Sequence, residues 1–226
     1  MNKMISWILV PLLLSVVATP TAAKKNEPPA ISVEGLTLVE KDRRGEIYAD
    51  TDVDWGDYSK IQLQQASVAF KKNWKREQNR YQSFKVRDQD MEKIKTGLSD
   101  LFHEVFTEEL STEGGYVMTA TSAEDVMTII PSIVDLDVVA PDTRSPGITT
   151  TYTEQAGRMT LKLEIYDSQT GDLIAKMSDR QESPRRGYMQ WTNSVTNTAE
   201  ARRMLKKWAK ALRVRLDEAR SNSPAE

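Results

Sequence analysis

One stretch of the sequence reads Met159-Thr160-Leu161-Lys162-Leu163-Glu164-Ile165-Tyr166, and in it apolar residues alternate strictly with polar or amphipathic ones. A period of two residues is typical of a strand with one face in the core and the other toward solvent. Residues 167–172 are turn formers, and residues 173–178 can return as a second strand. The stretch therefore predicts an antiparallel hairpin.

Further strands are expected on the N-terminal side of this hairpin. Ile61 to Phe70 alternates with a change of phase in the middle, and Tyr116 to Met118 has the composition of a short strand. Val126 to Val139 is rich in Val and Ile and is long enough for a central strand, with Pro131 marking a bulge or an edge.

Two long segments carry the periodicity of amphipathic helices. Residues 88–110 place apolar side chains at three- and four-residue steps, and Gly114-Gly115 ends that helix. Residues 197–220 place Leu205, Trp208 and Leu212 in one stripe. The opposite side carries cations, which are expected to face solvent: Arg202, Arg203, Lys206, Lys207, Lys210 and Arg213. The predicted fold class is α+β, a mostly antiparallel sheet of about four strands with two amphipathic helices packed on one face.

Composition excludes several classes of function. The 226 residues include no Cys and a single His, His103, so disulfides, thiol nucleophiles, Cys-ligated zinc and multi-His metal sites are ruled out. No cofactor or metal is expected. The formal net charge of −2 gives no global excess of positive charge, and we expect no nucleic-acid partner.

The N-terminus has the pattern of a secretory signal. Lys3 precedes an apolar run of 15 residues, Met4 to Ala18, and small residues follow up to Ala23. We expect cleavage near Ala23 and a periplasmic protein; a retained membrane anchor is the alternative. The expected organisation is a signal peptide at 1–23, an extended N-terminal arm at 24–59, a single α+β domain at 60–220 and a disordered tail at 221–226.

Four stretches in this order resemble a known family. They are residues 48–58 (Tyr-Ala-Asp through Trp-Gly-Asp-Tyr), 134–137 (Val-Asp-Leu-Asp), 167–171 (Asp-Ser-Gln-Thr-Gly) and 208–209 (Trp-Ala). The chain resembles the bacterial envelope family called domain of unknown function 3313. The resemblance implies an envelope location and no established activity. Many members resemble lipoproteins with a lipid-modified Cys after the signal, which this chain lacks.

Basic residues interleaved with aromatic ones form the strongest candidate contact surface. Between Lys71 and Arg87 there are seven Lys/Arg and one acidic residue, and a basic, aromatic loop follows at 183–191. The candidate binding residues are Lys71, Lys72, Trp74, Arg76, Arg80, Tyr81, Arg185, Arg186, Tyr188 and Trp191. Behind a signal peptide, such residues suit anionic lipid headgroups, lipopolysaccharide or an acidic protein face, with peripheral contact at a membrane.

Two functions follow from these patterns. The first is a periplasmic, non-enzymatic binding or scaffold protein whose partner is an envelope protein or an anionic envelope component. The alternative is a small-ligand or cation-dependent enzyme that uses Asp135 and Asp137, whose alternate spacing puts both carboxylates on one face of a regular strand. A solvated face of an antiparallel sheet gives the same spacing.

Overall fold

The alternating stretch found in the sequence lies within a central strand. The computed structural model of the protein describes residues 28–81, 85–138, 151–153, 157–182, 190–192 and 194–222. Strand β8 (Gly157–Asp167) buries its odd-numbered apolar side chains and pairs antiparallel with β6 (Val126–Val138) on one side and β9 (Leu173–Glu182) on the other. The predicted hairpin and the predicted long strand are both confirmed.

These strands belong to a mixed, open sheet of eight strands, so the expectation of about four strands is wrong. The other strands are β1 (Thr37–Lys41), β2 (Gly45–Ala49), β3 (Lys60–Leu63), β4 (Ser67–Phe70), β5 (Val117–Met118) and a separate pair, β7 (Thr151–Thr153) with β10 (Gln190–Thr192). The order in the sheet is β1-β2-β9-β8-β6-β3-β5, and β4 also pairs with β6. Neighbours in the part β1-β2-β9-β8-β6 are antiparallel, and the pairs that β3, β4, β5 and β6 form with one another are parallel. The α+β class is confirmed.

The change of phase within Ile61–Phe70 is a break between two strands. β3 pairs with the first part of β6, up to Ile129, and β4 pairs with the later part, from Ser132 onward. Pro131 lies where the neighbour of β6 changes from β3 to β4. Because proline has no N–H to donate, a position between two partner strands suits it better than one within a continuous ladder.

Residues expected to form an arm over the domain instead form one edge of the sheet. β1 and β2 are an antiparallel pair, and β2 pairs along its whole length with β9. At Gly45 a Cβ atom would lie 1.7 Å from the carbonyl oxygen of Ser178, so only glycine allows this close approach of β2 to β9. The sparse apolar residues of this region follow from its edge position, since most of the β1 side chains are exposed.

Three helices are described. α1 (Trp74–Tyr81) is short, α2 (Asp88–Glu108) continues into one π-helical turn at Glu109–Glu113, and α3 (Ser194–Ser221) closes the chain. The apolar stripes of α2 and α3 share one core with the inward side chains of the sheet. None of the described helices is long and apolar enough to cross a membrane. The expected signal peptide lies outside the described residues, as do residues 223–226.

The cations of α3 divide into two sets. Arg203, Lys206, Lys207 and Lys210 are exposed, as expected. Arg202 and Arg213 instead reach α2 and the π-helical turn that follows it: the guanidinium of Arg202 lies 2.8 Å from Glu104, and that of Arg213 lies 2.9 Å from Glu109. These ion pairs hold the two helices side by side, a role that helical periodicity alone cannot reveal because it does not identify the neighbouring helix.

Trp208 joins α3 to the sheet. Its side chain is 2% exposed, and its indole N–H donates to Oδ2 of Asp179 on β9 at 2.6 Å. The large apolar ring is therefore buried with its single polar group satisfied, which is the condition under which a buried tryptophan stabilises a fold.

We expect Trp208→Ala to lower the free energy of unfolding by about 3–5 kcal/mol, because it empties a large core site and leaves Asp179 without its donor. Lys207→Ala at the exposed neighbouring position is the control and should change it by no more than about 0.5 kcal/mol. Urea denaturation measures both values. A tolerated change at Trp208 and a destabilising one at Lys207 would mean that α3 packs through its other side.

Candidate functional site

Trp74, one of the candidate contact residues, lies in the interior. Its side chain is 1% exposed, its ring stacks on Phe70 with centroids 4.1 Å apart, and its indole N–H donates to the carbonyl oxygen of Val138 at 2.8 Å. The tryptophan thus fastens the start of α1 to the end of β6. An aromatic residue among cations carries no periodic signal, so the sequence could not separate this packing role from surface contact.

Lys71 is held within the fold as well. Its ammonium group lies 2.8 Å from Glu77 and 2.9 Å from Asp137, and Arg158 approaches the same Asp137 carboxylate at 3.0 Å. Hydrogen bonds to Glu77 and Asp137 raise the pKa of Lys71, and the bond from Lys71 lowers the pKa of Glu77. This network ties α1 to β6 and β8.

Three further cations of the segment form what we call the α1 basic face, which consists of Lys72, Arg76 and Arg80. All three residues are exposed, and Arg76 and Arg80 lie one helical turn apart on the same side of α1. Tyr81 ends the helix. Trp191 lies in β10, and the other three residues of the predicted contact loop, Arg185, Arg186 and Tyr188, are outside the described residues.

A shallow cleft of about 830 Å³ opens beside this face, between β4, α1 and α2. Its floor includes Phe70 and Met91, and four cations line it: Lys71, Lys75, Arg76 and Lys95. Lys75 pairs with Asp88 at 2.7 Å and Lys95 with Glu92 at 2.8 Å. Arg76 has no ion pair with any residue that the structure describes. Of the four cations, Arg76 is therefore the one whose charge is left to attract an anionic group in this cleft.

Asp135 and Asp137 flank a β-bulge. The register of β6 against β8 shifts between Val134 and Asp137, and Asp135 has a left-handed backbone with φ of 53°. Regular alternation would carry both carboxylates to the core face with Ile133. The extra residue instead places Leu136 in the core, leaves Asp135 exposed and turns Asp137 toward its two cations.

This geometry gives little support to acid–base or cation chemistry at these two residues. The Asp137 carboxylate is engaged by Lys71 and Arg158, and Asp135 is exposed rather than enclosed in a concave site. Over the described residues, no group of three or more His, Asp or Glu side chains could hold a metal ion.

A second cleft, of about 540 Å³, was not foreseen from the sequence. It lies where the last turns of α3 diverge from the helix-facing side of β1, β2 and β9. Apolar side chains form most of its lining, among them Val39, Ile47, Trp55, Met177, Leu212 and Leu216. The prediction of an extended arm at residues 24–59 could not reveal this site, since eight of its 18 lining residues come from β1, β2 and the turn that follows them.

Comparison with known proteins gives a family and several distant structural similarities. A family model described as protein of unknown function (DUF3313) matches residues 30–212, the family that the sequence resembles. None of the curated proteins matches the chain.

The similar solved structures cover most of the chain at low identity. The PelC dodecamer from Paraburkholderia phytofirmans is 6% identical over 73% of this chain and 96% of its own, with a TM-score of 0.35. A minor lipoprotein from Acinetobacter baumannii is 11% identical over 72% and 95%, with a TM-score of 0.36. A Xanthomonas campestris protein of the family DUF330 is 11% identical over 74% and 88%, with a TM-score of 0.40.

The bulge yields a prediction about backbone strain. We expect Asp135→Val to lower the free energy of unfolding by about 1–2 kcal/mol, because a left-handed backbone is sterically unfavourable for a β-branched residue. Asp135→Gly is the matched change, and it should be neutral or slightly stabilising because glycine adopts positive φ readily. Urea denaturation of both variants tests this. Equal values for the two would show that the bulge relaxes without cost.

Proposed function

The chain belongs to the DUF3313 family of unknown function, and from its own surface we propose that it is a non-catalytic binding protein of the bacterial cell envelope. The signal-like N-terminus supports export, and the placement of Asp135 and Asp137 disfavours the enzymatic alternative. The partner that the surface suits best is a layer of anionic lipid headgroups, contacted peripherally through the α1 basic face.

A single observation carries this proposal: two cations of the basic segment are exposed without an ion-pair partner among the described residues, while Lys71 and Trp74 hold the start of α1 in the fold. Lys72 and Arg76 are exposed and form no ion pair with other described residues. Lys71 and Trp74 meanwhile fix the beginning of α1 through an ion-pair network and a buried indole. A cationic surface on a firmly held helix loses less conformational freedom on binding than one on a loose loop.

The strength of the contact can be bounded. A Lys or Arg near an anionic lipid surface contributes about 1 kcal/mol, so Lys72 and Arg76 would supply about 2 kcal/mol. Glu77 lies next to Arg76 in the sequence, but its carboxylate pairs with Lys71. Such an interaction is weak and reversible, which suits peripheral association and makes the binding strongly dependent on salt.

Vesicle sedimentation tests the proposal. We expect the protein without residues 1–23 to bind vesicles of phosphatidylglycerol and phosphatidylcholine more than vesicles of phosphatidylcholine alone. Binding should fall as salt rises from about 10 mM to about 1 M, because the Debye length falls from about 30 Å to about 3 Å. The double variant Lys72→Glu/Arg76→Glu should lose most of the binding, because two attractive charges become repulsive.

The matched control is Lys206→Glu/Lys207→Glu, which makes the same change of charge at two exposed positions of α3. It should bind nearly as well as the unchanged protein. An equal loss in the two double variants would show that net charge, and not the α1 basic face, governs association. Circular dichroism and thermal melting confirm that each variant is folded.

A further inference from the structure

The apolar cleft beside α3 lies apart from the α1 basic face, and its mouth is held by an ion pair. The guanidinium of Arg215 on α3 meets the carboxylate of Glu40 on β1, with Nη2 lying 2.7 Å from Oε1 and Nε lying 3.0 Å from Oε2. This fork geometry links α3 to the edge strand across the mouth of the cleft. The buried side chains of Leu212 and Leu216 pack the same part of α3 on the core.

The walls of the cleft expose apolar surface that the fold leaves uncovered. Val39 is 54% exposed, and Ile47, Trp55 and Met177 are only half-buried. Apolar area left in contact with water costs about 25 cal/mol for each Å², so a ligand that covers these side chains gains that free energy on binding. The volume of about 540 Å³ lies within the range of small-molecule sites.

The charges at the rim do not cancel. Arg215 is neutralised by Glu40, and Lys176 pairs with Glu34 while lying over the Tyr48 ring. Two further acidic residues, Asp50 and Glu218, line the cleft, and neither has a cationic partner within the described ranges. The Asp50 carboxylate accepts a hydrogen bond from the backbone N–H of Asp52 at 2.9 Å, which leaves its negative charge in place. The residual charge at the mouth is therefore negative.

From these observations we infer that the cleft binds a small amphiphile with an apolar body and a cationic group. The apolar body covers Ile47, Met177 and the α3 side chains, and the cationic group lies near Asp50 and Glu218. Trp55 lines the same cleft, and an indole ring attracts a cation that lies over its face. A polar solute would not remove the apolar side chains from water. An anionic amphiphile would be repelled by two carboxylates that have no cationic partner within the described ranges.

Isothermal titration calorimetry with three probes of equal chain length tests this inference. The probes are decyltrimethylammonium, decyl maltoside and decyl sulfate, each used below its micellar concentration. We expect decyltrimethylammonium to bind with a Kd about ten-fold lower than decyl sulfate, with decyl maltoside between them. The double variant Asp50→Asn/Glu218→Gln should abolish this preference and leave the affinity for decyl maltoside unchanged.

Two variants of α3 locate the site. Ala219→Trp places an indole in the cleft and should abolish binding of all three probes. Ala211→Trp makes the same change two turns earlier, at a residue outside the lining of the apolar cleft, and should leave binding intact. Lys72→Glu/Arg76→Glu should also leave it intact, so failure of the vesicle proposal and failure of this one are distinguishable.

Three outcomes would overturn the inference. The first is equal affinity for the cationic and anionic probes, which would remove the role of Asp50 and Glu218. The second is full binding of decyltrimethylammonium by Ala219→Trp, which would place the site elsewhere. The third is absence of probe binding together with a dimer in solution that Ala219→Trp disrupts, which would assign the cleft to a second copy of the chain.

Discussion

The antiparallel pairing of β6 with β8 is the constraint on which the other layers of the structure depend. It runs from Met127 opposite Asp167 to Val138 opposite Gly157, and its inward side chains supply the apolar surface on which α2 and α3 pack. β8 also pairs with β9, β9 pairs with β2, and β2 pairs with β1. On its other edge, β6 pairs with β3 and β4. A slip of one residue in this register would exchange the core and solvent faces of both strands.

The bulge at Asp135 connects that register to the surface chemistry. One extra residue keeps Leu136 in the core and sends Asp137 outward, where it meets Lys71 and Arg158. Lys71 also pairs with Glu77 of α1, so the position of the helix follows from the bulge. The placement of the α1 basic face therefore depends on the bulge near the end of β6.

The sequence predicted those elements whose periodicity extends over many residues. α2, α3 and the β8–β9 hairpin were all placed from their apolar spacing, because each buries one face along its whole length. The sequence does not predict β1 or β2. Most side chains of the edge strand β1 are exposed, and β2 shows no alternation of buried and exposed side chains. α1 was missed because eight mostly polar residues give no stripe, and Trp74 was misjudged because burial of a single ring depends on tertiary contacts. The apolar cleft depends on β1 and β2, so it was missed with them.

The order of strands separates the two proposed sites. The α1 basic face follows β4 and is tied to the end of β6, whereas the apolar cleft belongs to β1, β2 and β9 on the other side of β8. No side chain of the α1 basic face lines that cleft. The two proposals are compatible, because the surfaces prefer opposite charges and lie toward opposite ends of the strand order. If both hold, the α1 basic face would attract the protein to an anionic surface, and the cleft would bind a cationic amphiphile there. The β6–β8 pairing joins the strands beside the two sites in one sheet, with β4 on one side of the pair and β9, β2 and β1 on the other.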